Sequence, residues 1–311
     1  MIYENVLQAV GHTPLIKLNR MCEPDAADIL VKFEGVNIGG SVKTRVALKM
    51  IEDAEAQGLI DADSIIVEPT SGNQGIGLAL VAAVKGYQAR IIMPDSVSEE
   101  RRKLVRHYGA EVVVVHDKGD IGECINECIR TALRMAEENP KVYIPQQFEN
   151  PSNLLAHETR TAVEIIKDME GKPVDGFCSG IGTGGTITGT GHKLKEAYPN
   201  IKIWAIEPEN AALLSGGVVG THLQMGIGDG LIPDILDQQV YDKVVIVTDE
   251  EALEVSRELA RKEGLMCGIS SGTNVAAAKR LARELGPGKT VVAILPDTAE
   301  RYFSTDLFAG E

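Results

Sequence analysis

The sequence has few cysteines, and they are scattered. Its 311 residues include five, which are Cys22, Cys124, Cys128, Cys178 and Cys267. This small, odd number predicts reduced thiols rather than a disulfide framework, as in a protein of the cytoplasm. Cys124 and Cys128 lie four residues apart on a predicted helix, but no His or Cys pair stands near them to complete a metal site. We therefore expect no metal.

Positive charge and long apolar runs are also scarce. The chain has 31 Lys and Arg against 45 Asp and Glu, giving a net charge of −14, so nucleic acid and anionic membranes are not expected as partners. No window approaches 18 uninterrupted apolar residues, and the N-terminus has neither a basic nor an apolar segment, so no membrane span or signal peptide is expected. The sequence has no nucleophile elbow of a serine hydrolase and no His-x-x-x-His metal helix.

Short apolar strands alternate with helical patterns along the chain. Because near-continuous apolar strands between helices indicate a parallel sheet covered on both faces, we predict an α/β fold. The alternation restarts after Asn150 and Pro151, which predicts two units with a boundary near 145–152. Helices are predicted at 154–169, 250–263 and 273–285, among others. Ligands in such folds bind beyond the carboxyl ends of strands, where the loops 70–75, 180–186 and 296–298 are expected.

A single lysine follows a glycine-rich loop in the segment 37–45. Ser41 is predicted to cap a helix that has Lys43 in its first turn. The free N–H groups and the positive end of the helix dipole disfavour the ammonium form there. Lys43 is therefore a candidate nucleophilic amine that could form a Schiff base with an aldehyde. The alternative is an ordinary solvated lysine at a helix start.

Two further loops join a strand end to a helix start. Thr70-Ser71-Gly72-Asn73-Gln74-Gly75 brings hydroxyls, amides and backbone N–H groups together, which suits a carboxylate or phosphate; a simple helix cap is the alternative. Gly180-Ile181-Gly182-Thr183-Gly184-Gly185-Thr186 has the composition of a phosphate cradle. It also matches G-x-G-x-x-G, with Glu207 about 22 residues further on, so nicotinamide binding is a rival interpretation. That fingerprint, however, usually serves the first βαβ unit.

Three other groups are candidates for the same edge. Ser270 and Ser271 precede the helix predicted at 273, where capping is the simpler explanation. Asp297 follows the last core strand. Asp229 stands among three glycines, where it either forms a turn or places a carboxylate in a site.

Taken together, these segments resemble the cysteine synthase (O-acetylserine sulfhydrylase) and cystathionine β-synthase family of fold-type-II pyridoxal-phosphate enzymes. The resemblance runs from Gly11-His12-Thr13-Pro14-Leu15 to Glu300-Arg301-Tyr302-Phe303-Ser304-Thr305 and includes 39–43, 70–73, 146–151, 182–186 and 268–272. It implies two open twisted sheets covered by helices, as in the tryptophan synthase β subunit, with the active site between two domains. The smaller, mobile domain would span 44–148, and the larger, phosphate-binding domain 1–43 plus 149–311. A homodimer is usual in this family.

The resemblance also implies roles for individual residues. Lys43 would hold pyridoxal 5′-phosphate as an internal aldimine and later move the Cα proton. The other implied cofactor contacts are Asn73, Gly182, Thr183, Gly184, Gly185, Thr186, Ser270 and Asp297, and the implied substrate contacts are Thr70, Ser71, Gly72, Gln74 and Gln147. The implied reaction is a β-replacement through an aminoacrylate, with O-acetyl-L-serine and sulfide giving L-cysteine and acetate. Loop 70–75 would close on the substrate carboxylate.

The chain departs from this family's usual pattern at several positions. Ile38, Thr44 and Gln74 replace proline, aspartate and threonine, and 161–164 reads Thr-Ala-Val-Glu. Asp229 stands where a small apolar residue is usual. An acid there would repel hydrosulfide, but could act as a base on water, so that cysteine gives serine and sulfide. It could also grip the ammonium of a thiol amino acid, as in a cystathionine- or lanthionine-forming enzyme. These alternatives concern the nucleophile and not the cofactor.

Overall fold

The computed structural model describes residues 2–119, 121–217 and 219–309, and it places two sheets among packed helices. The strands are β1 (Leu15–Lys17), β2 (Asp28–Phe33), β3 (Ile65–Pro69), β4 (Gln88–Pro94), β5 (Glu111–Val115), β6 (Val142–Tyr143), β7 (Gly176–Gly180), β8 (Lys202–Pro208), β9 (Lys243–Val247) and β10 (Thr290–Leu295). The helices are α1 (Lys43–Ala56), α2 (Asn73–Lys85), α3 (Glu99–His107), α4 (Ile121–Glu138), α5 (Ser152–Ala156), α6 (Ala162–Asp168), α7 (Gly185–Ala197), α8 (Asp249–Glu258) and α9 (Ile269–Leu285). Among the described residues, no helix is long and apolar enough to cross a membrane.

Strand order confirms the predicted α/β architecture with two largely parallel sheets. The larger sheet has the order β1-β2-β10-β7-β8-β9, and the smaller has the order β5-β4-β3-β6. Only the pair β1–β2 is antiparallel among the strand pairs described. All four strands of the smaller sheet come from residues 44–148, and all six of the larger sheet come from outside that range.

Apolar residues cover both faces of each sheet, as the near-continuous apolar strands predict. In β10, Val291, Ala293 and Leu295 belong to one core cluster, and the alternate residues Val292 and Ile294 belong to another. The first cluster contains the inner faces of α8 and α9. Because helices cover both faces of the sheets, a site can form only at the strand ends, where loops from both sheets meet.

Several helix boundaries differ from the sequence prediction. The helix predicted at 273 begins at Ile269, so Ser270 and Ser271 lie inside its first turn instead of capping it. A methyl group on Gly272 would lie 1.9 Å from the Ala252 carbonyl oxygen, so this glycine permits α9 to pack closely on α8 rather than ending the helix. The helix predicted at 154–169 contains a π-helical segment, His157–Thr161. The one predicted at 250–263 likewise ends in a π-helical segment, Leu259–Glu263.

Candidate active site

A pocket lies where β3, β7 and β10 end and α2, α7 and α9 begin. Its lining includes most of the predicted site residues, which are Lys43, Thr70, Ser71, Gly72, Asn73, Gln74, Gln147, Gly182, Thr183, Gly184, Thr186, Asp229 and Ser270. The lining contains residues from 44–148, which form the smaller sheet, and residues from outside that range, which form the larger sheet. This agrees with a site between two units. Gly185 and Asp297 do not line the pocket, but Gly185 lies between the lining residues Gly184 and Thr186 in the chain, and Asp297 accepts a hydrogen bond from the lining residue Asn73.

Three helices direct their N-terminal ends at this pocket. The residues before α2, α7 and α9 are Gly72, Gly184 and Gly268. Because a glycine has no side chain, none of the three caps the N–H groups of its helix. The first N–H groups of a helix have no partner within the helix, and they carry the positive end of its dipole. Three such ends together favour a ligand with more than one anionic group.

Lys43 is the first residue of α1, and its amine lies inside the pocket. Ser41 Oγ accepts a hydrogen bond from the Lys43 backbone N–H (3.3 Å), while Val42 occupies the cap position that the sequence assigned to Ser41. Lys43 Nζ donates to Thr183 Oγ1 at 3.3 Å. Burial lowers the pKa of Lys43 to about 8, although the Asp229 carboxylate opposes this shift. Roughly a tenth of the amine is therefore neutral at pH 7, far more than for a lysine with its usual pKa.

The loop 182–186 is packed too closely for side chains at two of its glycines. A methyl group on Gly182 would lie 2.4 Å from the Gly226 carbonyl oxygen, and one on Gly185 would lie 2.1 Å from Asn153 Oδ1. The backbone therefore sits at a fixed position with its N–H groups at the start of α7. Such an arrangement is an anion site.

Asn153 and His157, which sequence reasoning missed, support this loop. Asn153 Nδ2 donates to Thr183 Oγ1 (2.9 Å) and to the Gln147 carbonyl (2.8 Å), so one amide links two loops of the pocket. His157 Nε2 lies 3.3 Å from Thr186 Oγ1. Burial holds the pKa of His157 well below its usual value, so its imidazole is neutral.

Asp297 supports Asn73 from outside the pocket. Asn73 Nδ2 donates to Asp297 Oδ2 at 2.6 Å, and Asn73 Oδ1 accepts from Arg301 Nε at 2.9 Å. Tyr302 also donates its hydroxyl to Asp297 Oδ2 (2.8 Å). These bonds fix the orientation of the Asn73 amide and leave its second amide hydrogen for a ligand.

The loop 70–74 is built mainly from side-chain hydrogen bonds. Thr70 Oγ1 accepts from the Gly72 N–H at 3.1 Å. Gln74 is buried; its Nε2 meets only the Met50 sulfur (3.3 Å), and its Oε1 has no hydrogen-bond partner among the described residues. Gln147 lies beside this loop and donates to the Pro69 carbonyl at 3.4 Å.

Glu68, at the end of β3, holds the Gln147 segment in place. Its carboxylate accepts from the backbone N–H groups of Gln146 and Gln147, each at 3.0 Å. Burial raises the pKa of Glu68 to about 8, although both hydrogen bonds act in the opposite direction. Sequence reasoning took Glu68 only as a strand residue.

Asp229 brings a carboxylate into the pocket opposite Lys43. Burial raises its pKa, and the charges of Lys43, His222 and Arg101 oppose that rise. No hydrogen bond joins its carboxylate to another described residue. Glu207, by contrast, is occupied by its own loop, because it accepts from the backbone N–H groups of Leu214 and Ser215. The Glu207 carboxylate is therefore not free to bind a ribose, as the nicotinamide interpretation requires.

Comparison with known proteins identifies the family. Residues 6–297 match the family model described as pyridoxal-phosphate-dependent enzyme. The chain belongs to this family. It is therefore an enzyme that uses pyridoxal phosphate, and this assignment replaces the nicotinamide alternative.

The similar proteins include a cysteine synthase and enzymes named for other products. The chain is 48% identical to a cysteine synthase from Staphylococcus aureus, over 98% of this chain and 97% of the relative. A crystal structure of O-ureido-L-serine synthase has a TM-score of 0.94 at 42% identity and covers 100% of this chain and 96% of its own. A hydrogen sulfide-producing enzyme from Fusobacterium nucleatum has a TM-score of 0.91 at 43% identity, with coverage of 97% and 100%.

The pocket fits the family's cofactor. The closely packed 182–186 backbone offers N–H groups to a phosphate, and the buried Lys43 amine next to Thr183 can bond an aldehyde. Ser270 lines the same pocket from the start of α9. The donor set thus supplies an anion site, an amine and ring contacts in one cavity.

Proposed function

We propose that this enzyme catalyses β-replacement on a small L-amino acid, as a cysteine synthase that converts O-acetyl-L-serine and sulfide to L-cysteine and acetate. The observation that carries the proposal is the 48% identity to a cysteine synthase over almost the full length of both chains. The pocket's amine, anion site and polar substrate loop supply the parts that such a reaction needs.

Pyridoxal phosphate, when bound, would supply an electron-withdrawing ring that makes the Cα proton of an amino acid removable. Lys43 would hold the cofactor and, once the substrate amine has displaced it, would accept the Cα proton at Nζ. The backbone of 182–186 with the Thr183 and Thr186 hydroxyls would hold the phosphate. Asn73 would contact the ring oxygen and Ser270 the ring nitrogen, with Asp297 positioning Asn73.

The substrate carboxylate would bind the loop at the start of α2. Thr70, Ser71 and Gln74 would contribute side chains and Gln147 its amide, and Gly72 would contribute its backbone N–H by exchanging Thr70 Oγ1 for the carboxylate. Glu68 keeps the Gln147 backbone in place through its two hydrogen bonds. Closure of the loop on the carboxylate would exclude water from the pocket.

A second candidate function is release of sulfide from L-cysteine, with water attacking to give L-serine. Asp229 favours it, because a carboxylate without a hydrogen-bond partner among the described residues faces the pocket that contains Lys43. Such a group can accept a proton from water, and it repels an incoming hydrosulfide. The similarity to a hydrogen sulfide-producing enzyme gives this candidate further support.

Parallel assays of the holoenzyme separate the two. Wild type, Asp229→Asn and Lys43→Ala would be assayed with O-acetyl-L-serine plus sulfide, with L-cysteine alone, and with L-cysteine plus a thiol amino acid. A cysteine synthase is fastest in the first assay, and Asp229→Asn retains or increases that rate. If sulfide release from L-cysteine is faster and Asp229→Asn abolishes it, the second function replaces the first. A thioether product in the third assay would identify a cystathionine- or lanthionine-forming enzyme.

We further propose that the enzyme is a cytoplasmic homodimer with two mobile units. The five free cysteines support a reducing compartment. The confinement of the smaller sheet to 44–148 supports movement of that range against 1–43 and 149–311. Sedimentation of the purified enzyme tests the dimer, and a monomer at assay concentrations contradicts it.

A further inference from the structure

Arg101 in α3 is a buried cation without an ion pair among the described residues, although its charge acts on the Asp229 carboxylate of the same pocket. Its side chain is 2% exposed and lines the pocket. Its Nε is buried without a hydrogen-bond partner, and its Nη1 meets only the sulfur of Met225, at 2.9 Å, which is a weak acceptor. No carboxylate in the described ranges forms an ion pair with it. Burying a charge is costly unless it is paired.

A second buried arginine shows what pairing in this protein looks like. Arg45, 0% exposed, bonds the Glu34 carboxylate through Nε (2.8 Å) and Nη2 (2.9 Å). It also bonds both oxygens of Glu164, at 2.6 and 2.7 Å. Arg45 therefore has two bidentate carboxylate partners, and Arg101 has none. The chain supplies bidentate carboxylates to Arg45 but none to Arg101, which leaves the Arg101 guanidinium available to an anion from outside the chain.

The position of Arg101 indicates which anion this is. A methyl group on Gly72 would lie 3.7 Å from Arg101 Nε, so the guanidinium lies against the loop at the start of α2. The guanidinium also stacks on the Tyr302 ring, with its carbon 4.8 Å from the ring centroid, and this fixes its plane. The unpaired edge of the Arg101 guanidinium and the N-terminal end of α2 thus lie on the same side of the pocket.

We propose that Arg101 pairs with the α-carboxylate of the amino-acid substrate when that carboxylate occupies loop 70–73. This inference rests on the proposed function, because it requires an amino acid as substrate. The guanidinium supplies a full positive charge to a loop that otherwise offers only neutral donors. The carboxylate in turn neutralises a cation that the chain itself leaves without an ion pair, so part of the binding free energy comes from relief of that burial cost.

The test measures dissociation constants of L-alanine and L-alaninamide for the holoenzyme by the change in its visible absorbance. Both ligands lack a β leaving group, and only alanine has the carboxylate. Arg101→Gln should weaken alanine binding by at least about 20-fold, as expected for loss of a buried charge partner, but alaninamide binding by less than about 3-fold. Arg101→Lys, which keeps the charge but loses the planar fork, should restore part of the preference for alanine. Arg106→Gln, on an exposed position of the same helix, is the matched control and should change neither constant.

The two ligands separate a direct role from a structural one. If Arg101 only supports the fold of the loop, both dissociation constants rise by the same factor, and the proposal is wrong. If Arg101→Gln does not retain cofactor, Arg101→Lys decides the question by itself. If the ratio of its alanine and alaninamide dissociation constants is the same as in wild type, the proposed pairing is wrong. Failure of wild type to bind alanine or to turn over any amino acid would instead remove the proposed function.

Discussion

The helices α7 and α2 both begin at the pocket, but their first turns are built differently. At α7, Gly182 and Gly185 lie so close to Gly226 and Asn153 that no side chain fits. At α2, the nearest atom to a methyl group on Gly72 would be Arg101 Nε, at an ordinary contact distance of 3.7 Å, and close packing begins only at Gly75, where a methyl group would lie 2.5 Å from Ile91 Cγ2. The loop that enters α7 is thus tightly packed, whereas the residue just before α2 has room.

This difference matches the ligands proposed for the two helix starts. A cofactor that stays bound through many turnovers gains affinity from a site that needs no rearrangement. A substrate must enter and leave, so its loop needs groups that can reorganise at low cost. The same physical device, a helix N-terminus, can therefore serve a resident and a transient anion in one pocket.

The largest expected effect comes from breaking the tightly packed helix start. Gly185→Ala would place a methyl group 2.1 Å from Asn153 Oδ1 and push the 182–186 backbone away from its position. Overpacking of this kind costs about 1–3 kcal/mol, so cofactor affinity should fall by about 5- to 150-fold. Equilibrium dialysis of the apoenzyme against pyridoxal phosphate measures this, and unchanged affinity contradicts the rigid-cradle interpretation.

Between the two helix starts lies the amine of Lys43, whose protonation sets a pH dependence. Its pKa is lowered to about 8, so the neutral amine is the minority below that pH and the majority above it. The rate of reconstitution with the cofactor should rise about tenfold per pH unit below 8 and level off above it. Because the Asp229 charge raises the Lys43 pKa, Asp229→Asn should move this midpoint to lower pH. A midpoint near 10 in stopped-flow absorbance would show that burial does not depress the Lys43 pKa.

The smallest effect is expected at the other helix start. The methyl group of Gly72→Ala would approach Arg101 at ordinary contact distances of 3.7 Å or more, and Gly72 has extended φ (−164°), which other residues also adopt. Cofactor affinity should therefore remain within about 3-fold of wild type, in contrast to Gly185→Ala. Parallel dialysis of both variants makes the comparison. Equal losses in the two variants would mean that the two helix starts are equally rigid.

Much of the site was predictable because its loops carry local signals. A strand end, then glycines or hydroxyl residues, then a helical pattern places 70–75 and 180–186 at one edge of a sheet, and the structure brings both to the pocket. Lys43 was identified in the same way, from a glycine loop before a helix.

The residues that were missed act through contacts distant in sequence. Asn153 joins loops from two parts of the chain, and no local pattern reports that. Arg101 does leave a signal, because Arg101 and Val105 are spaced by four residues and therefore share one face of α3. Val105 is buried, so Arg101 stands on the apolar side of α3. The start of α9 was mispredicted because Ser270 and Ser271 were taken as residues that cap a helix beginning at 273, whereas they lie in its first turn. Gly272 lies in the same turn and permits close contact with α8.

The double carboxylate clamp on Arg45 has a mechanical consequence. Arg45 lies two residues after Lys43, and both Glu34 and Glu164 belong to the part of the chain that carries the larger sheet. If 44–148 swings as we propose, the first turn of α1 is the pivot about which it swings, and the amine travels almost no distance. The reacting nitrogen would then stay beside Thr183 while loop 70–75 closes on the substrate.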